Sequence, residues 1–459
     1  MPELRKDSLS FIETLGQSVA NVSPTLTPAL AIAVVAGMAG TASWLVYIAA
    51  TIALLIVGIN VGKLAKRIPA AGSFFIYVSR AFGPTYGMLS GWAMLAAYLF
   101  TAMALTVATS LFFKTMLSSL GITFVPPSIL LYFVFSALAL LLAARDIRIS
   151  ARVALTLEVI SVSIILYVCV KALMGFNFKP DVKQLSLEGV NFAGAAQAIV
   201  FAIFSYVGFE SAATLAKESR NPGKAIPKAI NLTALTAGLF FVLTTYIITQ
   251  GFHDDTTKLG ASGAPLADIL SGQSHWLIAL VYFGATISGF ACALASLNAF
   301  GRMLFSLGRY QFVHSSMGLV HKEHRTPYVA LTVGAVINFI LTAGFVGADA
   351  ETATFGWWGT LASYGFIIVY FLCSIAAPAY LKKTGEARFF DYFFGVLGGV
   401  LMVLSMAGSL YPVPPYPYNL FPYFFLAYMF VGLIWALVLK VRSPQTLLGI
   451  EHDMEAATE

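Results

Sequence analysis

The sequence predicts an all-α integral membrane protein of twelve transmembrane helices, and three observations carry that prediction. Hydrophobic residues make up 59% of the 459 and charged residues only 10%, whereas a soluble domain carries about a quarter charged residues. The apolar residues fall into runs of roughly 20, the length that crosses a hydrocarbon core. These runs read as 13–37, 42–62, 85–112, 127–144, 152–174, 191–216, 229–251, 277–304, 328–347, 356–379, 391–411 and 420–440. The basic residues are also distributed unevenly. With both termini cytoplasmic, 22 of the 27 Lys and Arg residues lie inside, and only Lys114, Lys171, Lys179, Lys183 and Lys258 lie outside. That bias predicts the orientation in a cell membrane.

The same distribution accounts for the pI of about 9.0, so no nucleic-acid partner is expected. The polar head, residues 1–12, leads straight into span 1 without the pattern of a cleavable signal peptide. Cys169, Cys292 and Cys373 are far apart and show no metal-ligand spacing. No nucleotide-binding loop is visible. No cofactor and no metal are therefore expected, and the partners are the lipid bilayer and a small molecule.

Span 1 contains Asn21-Val22-Ser23-Pro24-Thr25-Leu26-Thr27-Pro28. Two prolines four apart remove backbone donors and block regular helix. One reading is a kink repaired by the side chains of Asn21, Ser23, Thr25 and Thr27. The other is a discontinuous helix whose free N–H groups, at the start of its outer half, aim at an anionic group. A second interrupted span, described below, favours the discontinuous helix.

Between spans 2 and 3 runs KLAKRIPAAGSFFIYVSRAFGP. It is too short and polar to cross again, and it predicts an interfacial amphipathic helix with Arg67 and Arg80 toward water. Span 3 puts Tyr98 and Thr101 on one face. Tyr98 either lines a cavity or packs with its hydroxyl satisfied by a neighbour.

Span 5 follows Arg145, Arg148 and Arg152 and carries Glu158, with Ser161 one turn on. An acid at this depth is costly when charged. Three readings fit Glu158: a proton carrier, a sodium ligand, or a structural partner of Arg152.

Span 6 is interrupted at Phe204-Ser205-Tyr206-Val207-Gly208-Phe209-Glu210. A glycine and an acid at mid-membrane depth belong to backbone that lines something wet or binds something. A span broken this way points to a transporter's binding site. Gly208 permits close backbone approach. Glu210 is either functional or a buried acid held by hydrogen bonds.

The string Gly208-Phe209-Glu210, followed by ESRNPGKAIPKAI at 218–230, resembles the amino acid–polyamine–organocation superfamily of secondary transporters. The resemblance runs the length of the chain. It implies a 5+5 inverted repeat with broken helices 1 and 6, plus two appended helices. The corresponding divisions are the first repeat at 13–174, the second at 191–379, helices 11 and 12 at 391–440, and a cytoplasmic tail at 441–459. It also implies a site between the two breaks, with Phe204 as an aromatic gate and the last carbonyls of the outer half of helix 6 taking an amine. Ser296 of span 8 would face that site, and Glu210 matches the family's acidic position. Proton-coupled relatives can keep a lysine in span 5; this span lacks it, and Glu158 is the titratable residue at a comparable depth, so Glu158 and Glu210 are the expected ion-coupling residues. Span 1 departs from the family pattern. Where many members have a Gly-Ser-Gly-like stretch, this chain has Val22-Ser23-Pro24-Thr25, and Pro24 cannot donate to a substrate carboxylate.

Span 8 aligns Ser288, Cys292 and Ser296 at i, i+4, i+8, a small-residue face suited to close packing. Span 10 offers Thr360, Ser363 and Tyr364 as a far wall. The loop stretch 265–271 predicts a short helix over the outer mouth. The expected binding set is thus Asn21, Ser23, Thr25, Tyr98, Phe204, Ser205, Tyr206, Gly208, Ser296 and Ser363. The expected function is secondary active transport of a small amine-containing solute, an amino acid, by proton coupling or exchange. Alternatives are a carrier of polyamine or another organic amine, and a nontransporting nutrient sensor. No nucleophile, metal cluster or carboxylate pair suggests an enzyme.

Overall fold

The computed structural model describes residues 8–68, 73–145, 147–186, 190, 192–270, 275–347, 350–414 and 416–442. The expected head (1–12) lies partly, and the tail (441–459) mostly, outside them. Among the described residues there is no strand, only an isolated parallel bridge between Leu9 and Ser219.

The chain opens with α1 (Phe11–Val22), α2 (Ile32–Ala39) and α3 (Ser43–Arg67), then α4 (Ser73–Phe82), α5 (Pro84–Ser119), α6 (Ser128–Arg145) and α7 (Ile147–Gly175). A short α8 (Val182–Ser186) precedes α9 (Phe192–Phe204) and α10 (Pro222–Gly251). Two short helices, α11 (Thr256–Ala261) and α12 (Pro265–Ile269), lead to α13 (His275–Arg309). The chain ends with α14 (Tyr328–Gly344), α15 (Glu351–Lys383), α16 (Phe389–Leu410) and α17 (Phe421–Arg442).

Among the described residues, nine helical stretches are long and apolar enough to cross a membrane; the first, Phe11–Arg67, runs through the span 1 interruption. Shorter apolar helices cover Phe192–Phe204 and Tyr328–Gly344. Burial sorts the spans into layers. The apolar window of Pro84–Ser119 is 83% buried and that of His275–Arg309 is 72% buried, against 17% for Tyr418–Val441. A helix that is apolar all round and buried belongs to the centre of a bundle, and one that is apolar but exposed faces lipid. α5, α13 and α15 therefore form the interior against which the interrupted helices sit. Their close approach uses small residues: a Cβ on Gly365 of α15 would lie 2.7 Å from the Ala93 carbonyl oxygen of α5.

α12 supplies the short helix expected within 265–271. The expected interfacial helix between spans 2 and 3 needs correction. α4 is buried rather than laid on a surface, with Phe74, Phe75 and Tyr77 fully inaccessible. Arg67, at the end of α3, and Arg80, within α4, suggested an amphipathic face. The aromatic residues of α4 point in several directions, however, and Phe75 meets both Tyr310 and Phe312 at 5.3 Å.

Candidate functional site

α1 stops at Val22 because the ladder ahead of it lacks donors. Ser23 takes a left-handed conformation, φ 49°, and its N–H turns back to the Ala20 carbonyl. Pro24 and Pro28 contribute no N–H, and the chain restarts as a π-helical turn, Thr27–Ala31, before α2.

The second interruption begins where α9 ends at Phe204. Residues 205–210 form turns and a 3-10 segment follows at Ser211–Leu215. Gly208 has φ +96°, a conformation that disfavours side chains. A Cβ there would also lie 2.4 Å from Asn21 Nδ2. The two breaks therefore touch, with the Asn21 side chain lying over Gly208. The Ala202, Ile203 and Phe204 carbonyls, expected to be free for an amine, each accept one turn bond, from Ser205, Tyr206 and Val207. One lone pair remains on each.

α13 grips the first break through the expected small-residue face. Ser296 Oγ donates to Asn21 Oδ1 at 2.5 Å. Cys292 Sγ donates to the Asn21 carbonyl at 2.9 Å. Ser288 Oγ lies 2.9 Å from Ser23 Oγ and donates to Glu158 Oε1 at 2.7 Å. Behind them, Gln17 Nε2 donates to the Ala295 carbonyl, and the Ala212 N–H donates to Ser18 Oγ.

Glu158 is fully buried. Its carboxyl group faces the Thr25 backbone N–H, while Oε2 closes no hydrogen bond. Arg152 is not its partner: that guanidinium meets Glu13 Oε1 at 2.6 Å. The ion-pair reading of Glu158 is thereby overturned, because the nearest basic cluster has its own acid on α1. Glu158 belongs to the break in helix 1.

Several polar atoms around this break are buried with no protein partner: Asn21 Nδ2, Thr25 Oγ1, Thr27 Oγ1 and Glu158 Oε2. Buried polar atoms are normally satisfied, so such a group calls for a water, an ion or a ligand.

Glu210, also fully buried, has both oxygens occupied. Tyr98 Oη donates to Oε1 at 3.0 Å and Tyr370 Oη donates to Oε2 at 2.5 Å. The carboxylate joins α5 and α15 to the second break. Tyr98 is thus directed at Glu210. Ser205 and Tyr206 turn toward α3 instead: Ser205 Oγ lies 3.2 Å from Tyr47 Oη, and Tyr206 Oη lies 2.7 Å from Thr51 Oγ1. Phe204 stacks edge-on against Phe355 at 5.9 Å and fills the space over Gly359. Ser363 donates within its own helix to the Gly359 carbonyl. The structure brings Asn21, Ser23, Thr25, Glu158, Gly208 and Ser296 together, with Tyr98 and Glu210 on the far side of the second break.

Tyr370, Tyr47 and Thr51 were not singled out by the sequence. Tyr370 lies seven residues after Ser363, on the same helix face, and that spacing was its only local signal.

Residues 16–458 match the model of the family described as amino acid permease. The chain belongs to that family, within the amino acid–polyamine–organocation superfamily. It is a multi-pass membrane protein of transporter type. It is 26% identical over 447 residues to the low-affinity putrescine importer PlaP of Escherichia coli (strain K12), covering 95% of this chain and 92% of that one. It is 26% identical to the branched-chain amino acid permease BcaP of Bacillus subtilis, covering 76% of this chain and 75% of that one. The branched-chain amino acid permease BcaP of Lactococcus lactis is 23% identical, with 82% and 83% covered. These relatives are carriers by name and lend no support to the nontransporting-sensor alternative.

Proposed function

We propose that this permease is a secondary active transporter of a small amine-containing solute, an amino acid, working by alternating access. The observation that carries the reading is the contact of the two helix breaks, Asn21 over Gly208, beside buried polar atoms without protein partners. Interrupted helices that expose backbone and polar side chains at mid-depth are how such carriers hold a solute. Span 6 carbonyls take the amine, span 1 donors take a carboxylate, and Phe204 closes the site.

A second substrate class, an organic amine without a carboxylate, is favoured by Pro24. This residue removes a donor from the break. The similarity to a putrescine importer over nearly the whole chain agrees with it.

The proposed architecture has twelve spans, with α1–α2 and α3 as separate crossings and the two shorter apolar helices as crossings too. Spans 1–5 and 6–10 form the inverted repeats, and the basic bias puts both termini in the cytoplasm. Glu158 carries the coupling proton, since one of its oxygens remains open. Glu210, with both oxygens occupied, has the lesser share in coupling.

Uptake into proteoliposomes tests this reading. Labelled leucine or putrescine should accumulate under an inward proton gradient in sodium-free buffer. Glu158→Gln should flatten the pH dependence while leaving exchange intact. A strict sodium requirement would refute the proton assignment. Absence of uptake and exchange for every amino acid and amine tried would sink the transporter reading.

A further inference from the structure

A crevice of about 630 Å³ opens between the C-terminal end of α3 and the first turns of α10, and none of its lining residues belongs to either break. Lys66, Lys224 and Lys228 line it, and all three are exposed. Their neighbours on α3 are matched: Lys63 Nζ lies 2.7 Å from Asp391, and Arg67 pairs with Glu386. No carboxylate among the described residues pairs with the three lysines of the crevice. Lys224 and Lys228 are one turn apart on the same helix, a like-charge arrangement that is unfavourable unless an anion sits between them. Lys228 Nζ is held 5.0 Å over the Phe11 ring, which fixes it on the α1 side of the opening.

The wall above the lysines is apolar. Leu232 and Leu235 line the crevice. Leu235, Leu239 and Leu243 continue from it at intervals of four, and they are 43%, 64% and 44% exposed. Ile52 on α3 is also exposed, at 54%, and its neighbour Thr51 packs against Gly238, the residue before Leu239. In a membrane-spanning helix this track faces acyl chains. A basic end joined to an apolar groove is the shape of a phospholipid with an anionic headgroup, and basic pockets between transmembrane helices recognise such headgroups. A soluble phosphate would use the lysines and leave the leucine track without a role.

We propose that the α3–α10 crevice is a binding site for an anionic phospholipid, its phosphate held by Lys66, Lys224 and Lys228 and one acyl chain laid along Leu232, Leu235 and Leu239. The lipid bridges α3 and α10, so its occupancy adds to the stability of the folded bundle by mass action.

The test is thermal unfolding of the purified full chain in neutral detergent at low salt, titrated with dioleoylphosphatidylglycerol, dioleoylphosphatidylcholine or inorganic phosphate. Phosphatidylglycerol should raise the unfolding midpoint saturably, and the other two should not. Each lysine is worth about fivefold in lipid affinity. Lys66→Gln/Lys224→Gln/Lys228→Gln should therefore raise the half-saturating lipid concentration about a hundredfold, and Lys322→Gln/Lys382→Gln, also on exposed lysines, should not. If the triple variant does not fold, Lys224→Gln alone should give about the fivefold shift. Equal half-saturation in variant and parent would overturn the site. Stabilisation by phosphatidylcholine to the same extent would overturn the headgroup assignment. Equal stabilisation by inorganic phosphate would overturn the lipid in favour of a free-anion site.

Discussion

Arg302 of α13 and Glu218, just beyond the 3-10 segment of the second break, form a two-point ion pair inside the protein. Nε donates to Oε2 at 2.7 Å and Nη2 to Oε1 at 3.1 Å, and both side chains are essentially inaccessible. Removing one partner of a buried pair strands the other charge, at a cost of about 3–5 kcal/mol. Glu218→Gln and Arg302→Met should each lower the thermal unfolding midpoint sharply. The double variant Glu218→Leu/Arg302→Met should recover most of the loss. Losses that simply add would show that the two residues are not energetically coupled.

Gly208 should tolerate no side chain. Gly208→Ala would force a Cβ against Asn21 and hold a non-glycine residue at φ +96°, a strain of about 1–3 kcal/mol before any steric term. Transport of leucine and putrescine should fall at least tenfold in the variant while it still elutes as a folded protein. Adding Asn21→Gly should relieve the clash and restore only part of the activity, because the backbone conformation stays unfavourable. Normal transport by Gly208→Ala would show that this break can relax elsewhere.

Phe204 lies between the second break and α15. Phe204→Ala would leave a void against Phe355 and Gly359, and Phe204→Tyr or Phe204→Trp would keep the ring. If the ring closes the site, the alanine variant should raise KM with a smaller effect on folding, and the aromatic variants should retain partial transport. An alanine variant that is destabilised by about 3–5 kcal/mol but transports with an unchanged KM would make Phe204 a packing residue.

An acid pair outside the spans gives a pH signature. Asp254, just after α10, is pushed up to about 6 by burial, then by its hydrogen bond to Asp181 and the repulsion of that carboxylate, against weaker pulls from Lys183 and His253. Asp181 is shifted the other way: burial opposes it, but hydrogen bonds from Gln184, Asp254 and the Lys183 and Gln184 N–H groups hold it down. The folded state keeps a proton on Asp254 between pH 3.8 and about 6, where the unfolded chain has lost it. Stability from this group is therefore present at low pH and declines as pH rises through about 6. Asp254→Asn keeps a donor for Asp181 without the titration. Its unfolding midpoint relative to the parent should rise between pH 5 and pH 7.5. A constant difference across that range would remove the acid pair from the pH response.

Much of the fold was legible because a lipid solvent imposes it. Apolar runs of fixed length, and polar residues that interrupt them, are strong local signals. The breaks at Ser23–Pro24 and at Ser205–Glu210 were visible for that reason, as were Gly208, Glu158 and the Ser288–Cys292–Ser296 face. What the sequence hid were partnerships across the bundle. Tyr98 and Tyr370 lie 112 and 160 residues from Glu210, and a tyrosine in a helix rich in aromatics carries no mark of its hydroxyl's destination. The same holds for Tyr47 and Thr51 with Tyr206. α4 misled for a different reason: Arg67 before it and Arg80 within it read as a wet face, although Phe74 to Ser79 are interior.

The short ladder between the amino-terminal segment and the chain beyond the second break bears on how the molecule can be handled. Ser8 and Leu9 N–H groups both donate to the Glu218 carbonyl, at 2.9 and 2.8 Å, and the Arg220 N–H donates to the Leu9 carbonyl at 2.8 Å. Residues 8 and 9 are thus a latch, stitched through the main chain to the residue whose side chain clasps Arg302. Any motion that parts α1 from this stretch has to unfasten the latch first, and the Leu9 side chain, fully buried against Leu215, adds to its strength. A bulky fusion joined a few residues ahead of Ser8 would bear directly on that fastening, whereas the same fusion after Arg442 would sit at the opposite end of the chain from it.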